Sequence, residues 1–182
     1  MNAILKYGER IMHIDVSGRY YEKRDSGIAY KIIKTDEHKG LVLSNKLKRE
    51  LDRDIKLYQN YEKLHAICIY SLIESSLDDF DTLVICGDEE FDPVKFYLDI
   101  LFKGNNEYRK KKIMSIAELR EITGNPKLKS YADSAANIYR KKARKPLYRQ
   151  QKGVPLNIVH LNYAKITELW NKIGSLKFKR KT

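Results

Sequence analysis

The chain has 182 residues, which is enough for one well-cored domain and too few for two comfortable ones. Its 42% hydrophobic and 33% charged residues are typical of a globular protein and exclude a disordered or membrane-spanning chain. The formal net charge of +12, from 36 basic and 24 acidic residues, favours a polyanionic partner such as nucleic acid, or less specifically an anionic membrane surface.

The cysteines and the lengths of the apolar runs bear on the compartment. Cys68 and Cys86 lie within apolar runs and are expected to be free, buried thiols. No C-x-x-C spacing indicates structural zinc, and two cysteines do not make a disulfide framework. The N-terminal apolar run is too short for a signal peptide, and no stretch reaches the ~18 apolar residues of a membrane span. We therefore expect a cytoplasmic protein with no membrane partner.

The first part of the chain predicts three β-strands with short connections. The segments are "ERIMHIDVSG", "GIAYKIIK" and "HKGLVLS". The first ends in Asp15 and the turn residues Ser17 and Gly18, the second alternates and is β-branched, and the third opens on a turn signal. Successive strands with short connections are typical of an antiparallel meander.

A helical pattern follows from Asn45 to about Ser76. This segment contains neither Pro nor Gly, and its apolar residues recur at helical spacing. Its first half is charged and amphipathic, whereas its second half is more apolar and is expected to be buried. One long helix, or two helices with a bend near Gln59 and Asn60, would both fit.

Strands and helices then alternate. The nearly continuous apolar run "DTLVICGD" predicts a strand in the middle of a sheet. A short helix follows, with Asp92 as the expected N-cap and Pro93 at its first position. Next come a basic loop, "NNEYRKKK", and a fifth strand, "KIMSIAEL", which runs into the loop "REITGNP". A basic helix is expected from about Leu128 to Ala143. This order predicts an α/β arrangement with a mixed sheet.

The composition changes after Pro146. "RKPLYRQQKGVP" predicts a basic linker, "LNYAKITELWNKIG" an amphipathic helix that carries Trp170, and "SLKFKRKT" a basic tail. We expect this helix to pack on the domain or on a partner rather than to enter a membrane.

The acidic residues of greatest interest are those whose positions could bring them together. Asp15 and Asp88 each end a predicted strand, so parallel neighbouring strands would place these carboxylates side by side. Packed helices could add Glu62 and Asp133. Glu62 is preferred because its neighbours at i+4, i+7 and i+11 are apolar. The choice within the long helical segment stays open among Glu50, Asp52, Glu62 and Glu74.

Each acid also fits an ordinary structural role. Asp15 could form a turn, Asp88 could cap the next helix, and Asp133 could stabilise a helix N-terminus. Gathered in one dry pocket, however, the carboxylates would raise one another's pKa, and divalent cations relieve that repulsion. Mg²⁺ (or Mn²⁺) prefers oxygen ligands, and two ions roughly 3.5–4 Å apart activate water and stabilise the leaving oxygen in phosphodiester hydrolysis.

Five segments, in chain order, resemble motifs of the ribonuclease H family. They are "IDVSGR", "SGIAYKII", "EKLHAICIYSL", "LVICGDEEF" and "GNPKLKSYADSAAN", within residues 9–145. The resemblance implies a ribonuclease H-like α/β fold: a mixed five-stranded sheet with helices on both faces. It also implies a metal-dependent endonuclease that cuts the RNA strand of RNA–DNA hybrids, with Asp15, Glu62, Asp88 and Asp133 as catalytic, metal-binding residues. Family members often carry a His in the loop before the last helix, and "REITGNPKLK" has none.

The resemblance implies a catalytic domain at residues 1–145, followed at 146–182 by the basic linker, amphipathic helix and basic tail. The expected nucleic-acid contacts are basic residues flanking the motifs: Arg19, Arg109, Lys110, Lys111, Arg140, Lys141, Lys142 and Arg144. Two alternatives stay open, namely a Holliday-junction-resolving nuclease of the same fold and a non-catalytic nucleic-acid-binding or scaffold protein. A protein partner, or self-association, through the C-terminal helix is a further expectation.

Overall fold

The computed structural model describes residues 9–35, 37–87, 89–142 and 157–179, and of Tyr58 and Lys142 it describes the backbone alone. Two predicted site residues, Asp88 and Arg144, therefore lie outside the described residues, as do the side chain of Lys142 and the predicted basic linker.

The predicted mixed five-stranded sheet is confirmed. Its strands are β1 (Ile11–Ser17), β2 (Ser26–Ile32), β3 (His38–Leu43), β4 (Thr82–Ile85) and β5 (Lys112–Ser115). The strand order is β3-β2-β1-β4-β5. The first three strands form the expected antiparallel meander, while β4 runs parallel to both β1 and β5. Every residue of β4 is buried, as its continuous apolar sequence predicts.

The helices connect the strands and follow the sheet. They are α1 (Asn45–Ile55), α2 (Tyr61–Ile73), α3 (Phe91–Leu101), α4 (Asn106–Arg109), α5 (Ile116–Thr123), α6 (Asp133–Lys142) and α7 (Tyr163–Ile173). Of the two forms expected for the long helical segment, the broken one is present. Lys56 takes a left-handed conformation (φ 51°) that ends α1, and a 3-10 turn at Leu57–Gln59 leads into α2.

Three local predictions were wrong, each because a cap lies elsewhere. Glu90, not Asp92, takes the N-cap position of α3. The expected basic loop contains α4, since the Asn105 side chain accepts a hydrogen bond from Tyr108 N at 3.0 Å. The fifth strand ends at Ser115, which forms a capping box with Glu118 and starts α5 inside the expected strand and loop.

The helices cover both faces of the sheet. Side chains alternate along β1, so Met12 and Ile14 join a large core with α2, α3 and α7, whereas Ile11 faces the opposite side, in the cluster that contains Leu119 of α5. Helix α6 packs on this second face, against β1, β2 and β3.

Helix α6 lies so close to the sheet that two strand positions require glycine. A Cβ on Gly27 would lie 2.4 Å from the carbonyl oxygen of Ala136, and one on Gly40 would lie 2.5 Å from the Tyr139 ring. The close approach of this helix therefore depends on glycines in the sheet as well as on the buried alanines Ala132, Ala135 and Ala136. The helix begins at Asp133 rather than near Leu128.

The C-terminal helix α7 packs on the same core. Its residues Ile166, Leu169 and Ile173 are buried, and α7 contacts α1, α2 and α3. Lys63 of α2 contacts the C-terminal end of α7. Its ammonium donates to Gly174 O at 2.9 Å and lies 4.2 Å from the centroid of the Trp170 ring. None of the helices among the described residues has the length and hydropathy needed to cross a membrane.

Candidate functional site

Asp15 lies within β1, just past the last residue pair that β1 forms with β4. The register of β1 and β4 pairs Ile14 with Ile85, and Cys86 N donates to Ile14 O at 2.9 Å. The chain leaving β4 therefore passes directly beside Asp15, which is only 8% exposed. Burial, with a smaller contribution from the Asp15 carboxylate, raises the pKa of the Cys86 thiol to about 12. The prediction that the Asp15 and Asp88 carboxylates lie side by side stays a prediction, because Asp88 lies outside the described residues.

Helix α6 covers the face of the sheet on which Asp15 lies. The ring of His13, two residues before Asp15, makes an edge contact with Tyr131 at 5.1 Å between centroids. At the other end of the helix, the side chain of Arg140 lies 3.0 Å from the position a Cβ would take on Gly18. Helix α6 therefore follows the second half of β1, and the exposed Asp133 lies at its start.

Glu62 approaches from the opposite face. It is half-buried in the first turn of α2. Burial raises the pKa of Tyr97 on α3, and the Glu62 carboxylate makes a smaller contribution in the same direction. One turn further along, Nε2 of His65 lies 3.9 Å from the position of a Cβ on Gly87, the last residue before Asp88. The start of α2 therefore faces the end of β4.

The other acids considered for the role of Glu62 lie elsewhere. Glu50 and Asp52 belong to α1, and Glu74 is exposed at the far end of α2. At a rise of about 1.5 Å per residue, Glu74 lies ~18 Å along the helix from Glu62. This geometry favours Glu62 among the alternatives.

Glu89 is an additional acid in the segment that follows β4. Glu89 is half-buried. Burial raises the pKa of both Tyr20 and Tyr61, and the negative charge of Glu89 raises them further. The Asp15 carboxylate also raises the pKa of Tyr20, so both acids lie near the same phenol. The run "GDEEF" after β4 indicates that several acids follow this strand, but the sequence alone does not show which of them is half-buried.

A buried pair of polar side chains lies beneath these acids. The Tyr20 hydroxyl lies 2.5 Å from Nδ1 of His65, and burial lowers the pKa of His65 to about 4. Nε2 of His65 has no hydrogen-bond partner within the described part of the chain, and neither has Nε2 of His13. Buried ring nitrogens without partners are uncommon, and the one on His65 faces the end of β4.

The predicted ligands among the described residues have the donor type that a divalent cation requires, but they are not gathered into one site. Asp15, Glu62 and Asp133 offer hard carboxylate oxygens of the kind that Mg²⁺ and Mn²⁺ prefer. Within residues 9–87, 89–142 and 157–179, as far as these are described, no group of three or more His, Cys, Asp or Glu side chains could hold a metal ion. Asp15, Glu62 and Asp133 therefore do not form a three-ligand site with one another, and the predicted fourth ligand, Asp88, lies outside the described residues.

The predicted basic contacts fall at opposite ends of the parallel strands. Arg19 and Arg140 lie at the end of β1 near Asp15, and Lys141 is exposed beside Arg140.

The second basic group, Arg109, Lys110 and Lys111, precedes β5. Lys111 lies 5.4 Å from the centroid of the Phe80 ring, next to the start of β4, and Lys110 pairs with Glu107 at 2.6 Å. The structure therefore does not bring this group to the acids.

No family model, no curated protein and no solved structure matches this chain.

Proposed function

We propose that this chain is a metal-dependent endonuclease of ribonuclease H-like fold, which hydrolyses the RNA strand of RNA–DNA hybrids. The observation that carries the proposal is the pairing of β1 and β4 as parallel neighbours in the middle of the sheet. Because of this pairing, Asp15 of β1 lies beside the point where the chain leaves β4 towards Asp88. The mixed sheet with helices on both faces also supports it.

In this proposal Asp15, Glu62, Asp88 and Asp133 hold Mg²⁺ or Mn²⁺. The bound metal would supply activation of a water molecule and stabilisation of the leaving oxygen. The chain's own part is to present carboxylates from β1, from the segment after β4 and from two helices. Asp15 suits this role because it is nearly buried and its carboxylate accepts a hydrogen bond from Val16 N at 2.8 Å.

The substrate follows from charge and position. Arg19, Arg140 and Lys141 lie at the same end of the sheet as Asp15, where they could contact phosphates on either side of the cleaved bond. The wide minor groove and 2′-hydroxyls of a hybrid are the features a side chain could read there. The Arg109–Lys111 group lies at the other end, so we expect its substitution to reduce cleavage less than substitution of Arg19 or Arg140.

Two observations favour a second candidate, a non-catalytic nucleic-acid-binding protein. The carboxylates of the described residues do not by themselves complete a metal site, and the loop before α6 lacks the histidine found in many family members. Hybrid binding with no cleavage in any metal would support this candidate.

The test uses the full chain with Mg²⁺ or Mn²⁺ and labelled RNA–DNA hybrid, RNA duplex and four-way DNA junction. We expect cleavage of the RNA strand of the hybrid, and a loss of at least about 100-fold in Asp15→Asn, as is common for electrostatic groups at reacting centres. The matched control is Asp78→Asn, an exposed acid before β4, which should cut like the wild type. An uncut hybrid, or equal cutting by Asp15→Asn, would overturn the ribonuclease proposal, and preferential junction cleavage would replace it with a resolvase.

A further inference from the structure

A cleft lined by tyrosines opens beside the candidate site. Its volume is about 340 Å³, and its walls come from the β1–β2 loop and the starts of α1 and α2. We call it the tyrosine cleft and define it by Tyr20, Tyr21, Lys23, Arg49 and Tyr61. The ring centroids of Tyr20 and Tyr61 are 6.4 Å apart in a stacked arrangement, and those of Tyr21 and Tyr61 are 6.2 Å apart.

Tyr21 is unusual because its large ring is 55% exposed. Arg19 holds the ring from one side, donating from Nη1 to the Tyr21 hydroxyl and placing its guanidinium carbon 5.7 Å from the ring centroid. An exposed aromatic ring that is already held in place loses little conformational entropy when a flat ligand stacks on it.

Hydrogen bonds from the buried Lys48 side chain hold the loop that carries Tyr21 in place. This ammonium is buried and donates to Glu22 O at 2.9 Å, to Ser26 Oγ at 3.0 Å and to Arg19 O at 3.3 Å. These acceptors use all three of its N–H donors, so Lys48 serves the loop and not a ligand. The cleft is therefore preorganised.

The charge of the cleft favours an anionic ligand. Lys23 and Arg49 are exposed at its mouth, and Arg19 lies beside it. Two acids, Glu22 and Asp52, also line the cleft. Glu22 is engaged by Arg24, whose Nε and Nη2 donate to its carboxylate at 2.5 and 2.9 Å.

The cleft adjoins the proposed catalytic residues. Tyr61 directly precedes Glu62, Tyr20 contacts His65, and Glu89 lies near both Tyr20 and Tyr61. A nucleic-acid strand passing Asp15 can therefore place a neighbouring nucleotide in the cleft.

We propose that the tyrosine cleft binds an unpaired nucleobase stacked on Tyr21, with the flanking phosphates on Lys23 and Arg49. Aromatic rings bind single-stranded bases in this way without reading their sequence. One consequence of this inference rests on the proposed function, namely that hybrids with a single-stranded extension at the cleft are the preferred substrate for cleavage. Binding in the cleft itself does not require cleavage.

Binding is tested without divalent metal, by fluorescence of 2-aminopurine placed in a single-stranded extension of an RNA–DNA hybrid, with a blunt hybrid as the second ligand. We expect the wild type to bind the extended hybrid more tightly and to quench the probe by stacking. Tyr21→Ala should weaken binding of the extended hybrid by about 10-fold, within the range of one lost base–aromatic stack. Binding of the blunt hybrid should be unchanged, and Tyr21→Phe should weaken binding of the extended hybrid less than Tyr21→Ala does, because it keeps the ring and loses only the hydroxyl contact with Arg19.

Tyr163→Ala on α7 removes a surface tyrosine far along the chain and is the matched control. Equal binding of the extended hybrid by the wild type and Tyr21→Ala would overturn the proposal, as would an equal loss for extended and blunt ligands. If the hybrid is bound in a Tyr21-dependent way but never cut, the cleft stands and the proposed nuclease function fails. If the hybrid is cut while Tyr21→Ala binds like the wild type, the nuclease stands and the cleft proposal fails.

Discussion

The Tyr20 hydroxyl and Nδ1 of His65 lie 2.5 Å apart in the protein interior, and this contact joins the β1–β2 loop to α2. Tyr20 is 2% exposed and His65 1% exposed, so neither polar group can use water instead. The pair links the exposed Tyr21 on one side to Gly87, the residue before Asp88, on the other. It is the physical connection between the tyrosine cleft and the proposed catalytic edge.

Replacing Tyr20 with Phe should destabilise the fold. The change removes the partner of a buried ring nitrogen, and an unsatisfied buried polar atom costs about 1–3 kcal/mol. We expect a loss of that size in the free energy of unfolding, measured by urea denaturation at pH 7. Tyr21→Phe is the control, because its hydroxyl contacts Arg19 at the exposed surface. Unchanged stability in Tyr20→Phe would show that the pair contributes nothing.

Acid should destabilise the protein through its two buried histidines. Burial lowers the pKa of His13 and of His65 from 6.5 to about 4, so between these values the unfolded chain binds protons that the folded chain does not. The free energy of unfolding should therefore fall as the pH drops, by about 1–2 kcal/mol per histidine from pH 6.5 to pH 5. Urea denaturation across this range measures it.

The contribution of His65 is isolated by His65→Gln, which should flatten this pH dependence by about half. His160→Gln replaces an exposed histidine and should leave the slope unchanged. A slope in His65→Gln as steep as that of the wild type would contradict the assignment.

Gly27→Ala should push α6 away from the sheet. The new Cβ would lie 2.4 Å from Ala136 O and 2.6 Å from Arg140 N, and both are backbone atoms that cannot rotate aside. We expect a loss of about 1–3 kcal/mol in the free energy of unfolding, typical of overpacking, and lower nuclease activity because Asp133 and Arg140 move with the helix. Gly104→Asn is the control, since no atom lies within 4 Å of its Cβ position and Asn tolerates its φ of 86°. Wild-type stability in Gly27→Ala would contradict the close approach.

Lys63→Met should loosen α7. It removes the hydrogen bond to Gly174 O and the contact with the Trp170 ring, while the apolar stem of the side chain is kept. We expect a red shift of Trp170 fluorescence, the only tryptophan in the chain, and an earlier unfolding transition for α7. Lys165→Met, on α7 itself, removes a Lys165–Glu168 surface pair worth well under about 1 kcal/mol and should leave the emission unchanged. An unshifted spectrum in Lys63→Met would show that Lys63 does not hold the helix.

Substitution should also identify the helix acid of the proposed metal site. Glu62→Gln should reduce hybrid cleavage at least about 100-fold, whereas Glu50→Gln and Glu74→Gln should stay close to the wild type, because electrostatic effects of this size require a group at the reacting centre. Cleavage rates at saturating Mg²⁺ measure the difference. A large loss in Glu50→Gln with full activity in Glu62→Gln would move the site towards α1.

Part of the site was predictable because it depends on local pattern. The strand that carries Asp15 could be predicted from its apolar pattern, but the strand continues to Ser17, so Asp15 lies within β1 and not at its end. That Glu89 is half-buried could not be predicted from the sequence, since neighbouring acids in a loop differ only in the direction that the backbone gives their side chains. The same holds for the separation of Arg19 from the Arg109–Lys111 group, because both are simply basic segments in the sequence.

The sequence by itself determined most of the elements, namely the five strands, the helical segment of the first half and helices α3, α6 and α7, but not α4 or α5. Apolar spacing of two or 3.6 residues decides these locally. Only the tertiary structure decided that β4 pairs with β1 in parallel, that α6 lies against Gly27 and Gly40, and that α7 joins the main core. These contacts join residues far apart in the chain. Burial of apolar surface is not directional, so it does not select one such pairing over another. The close packing of the whole molecule makes that selection.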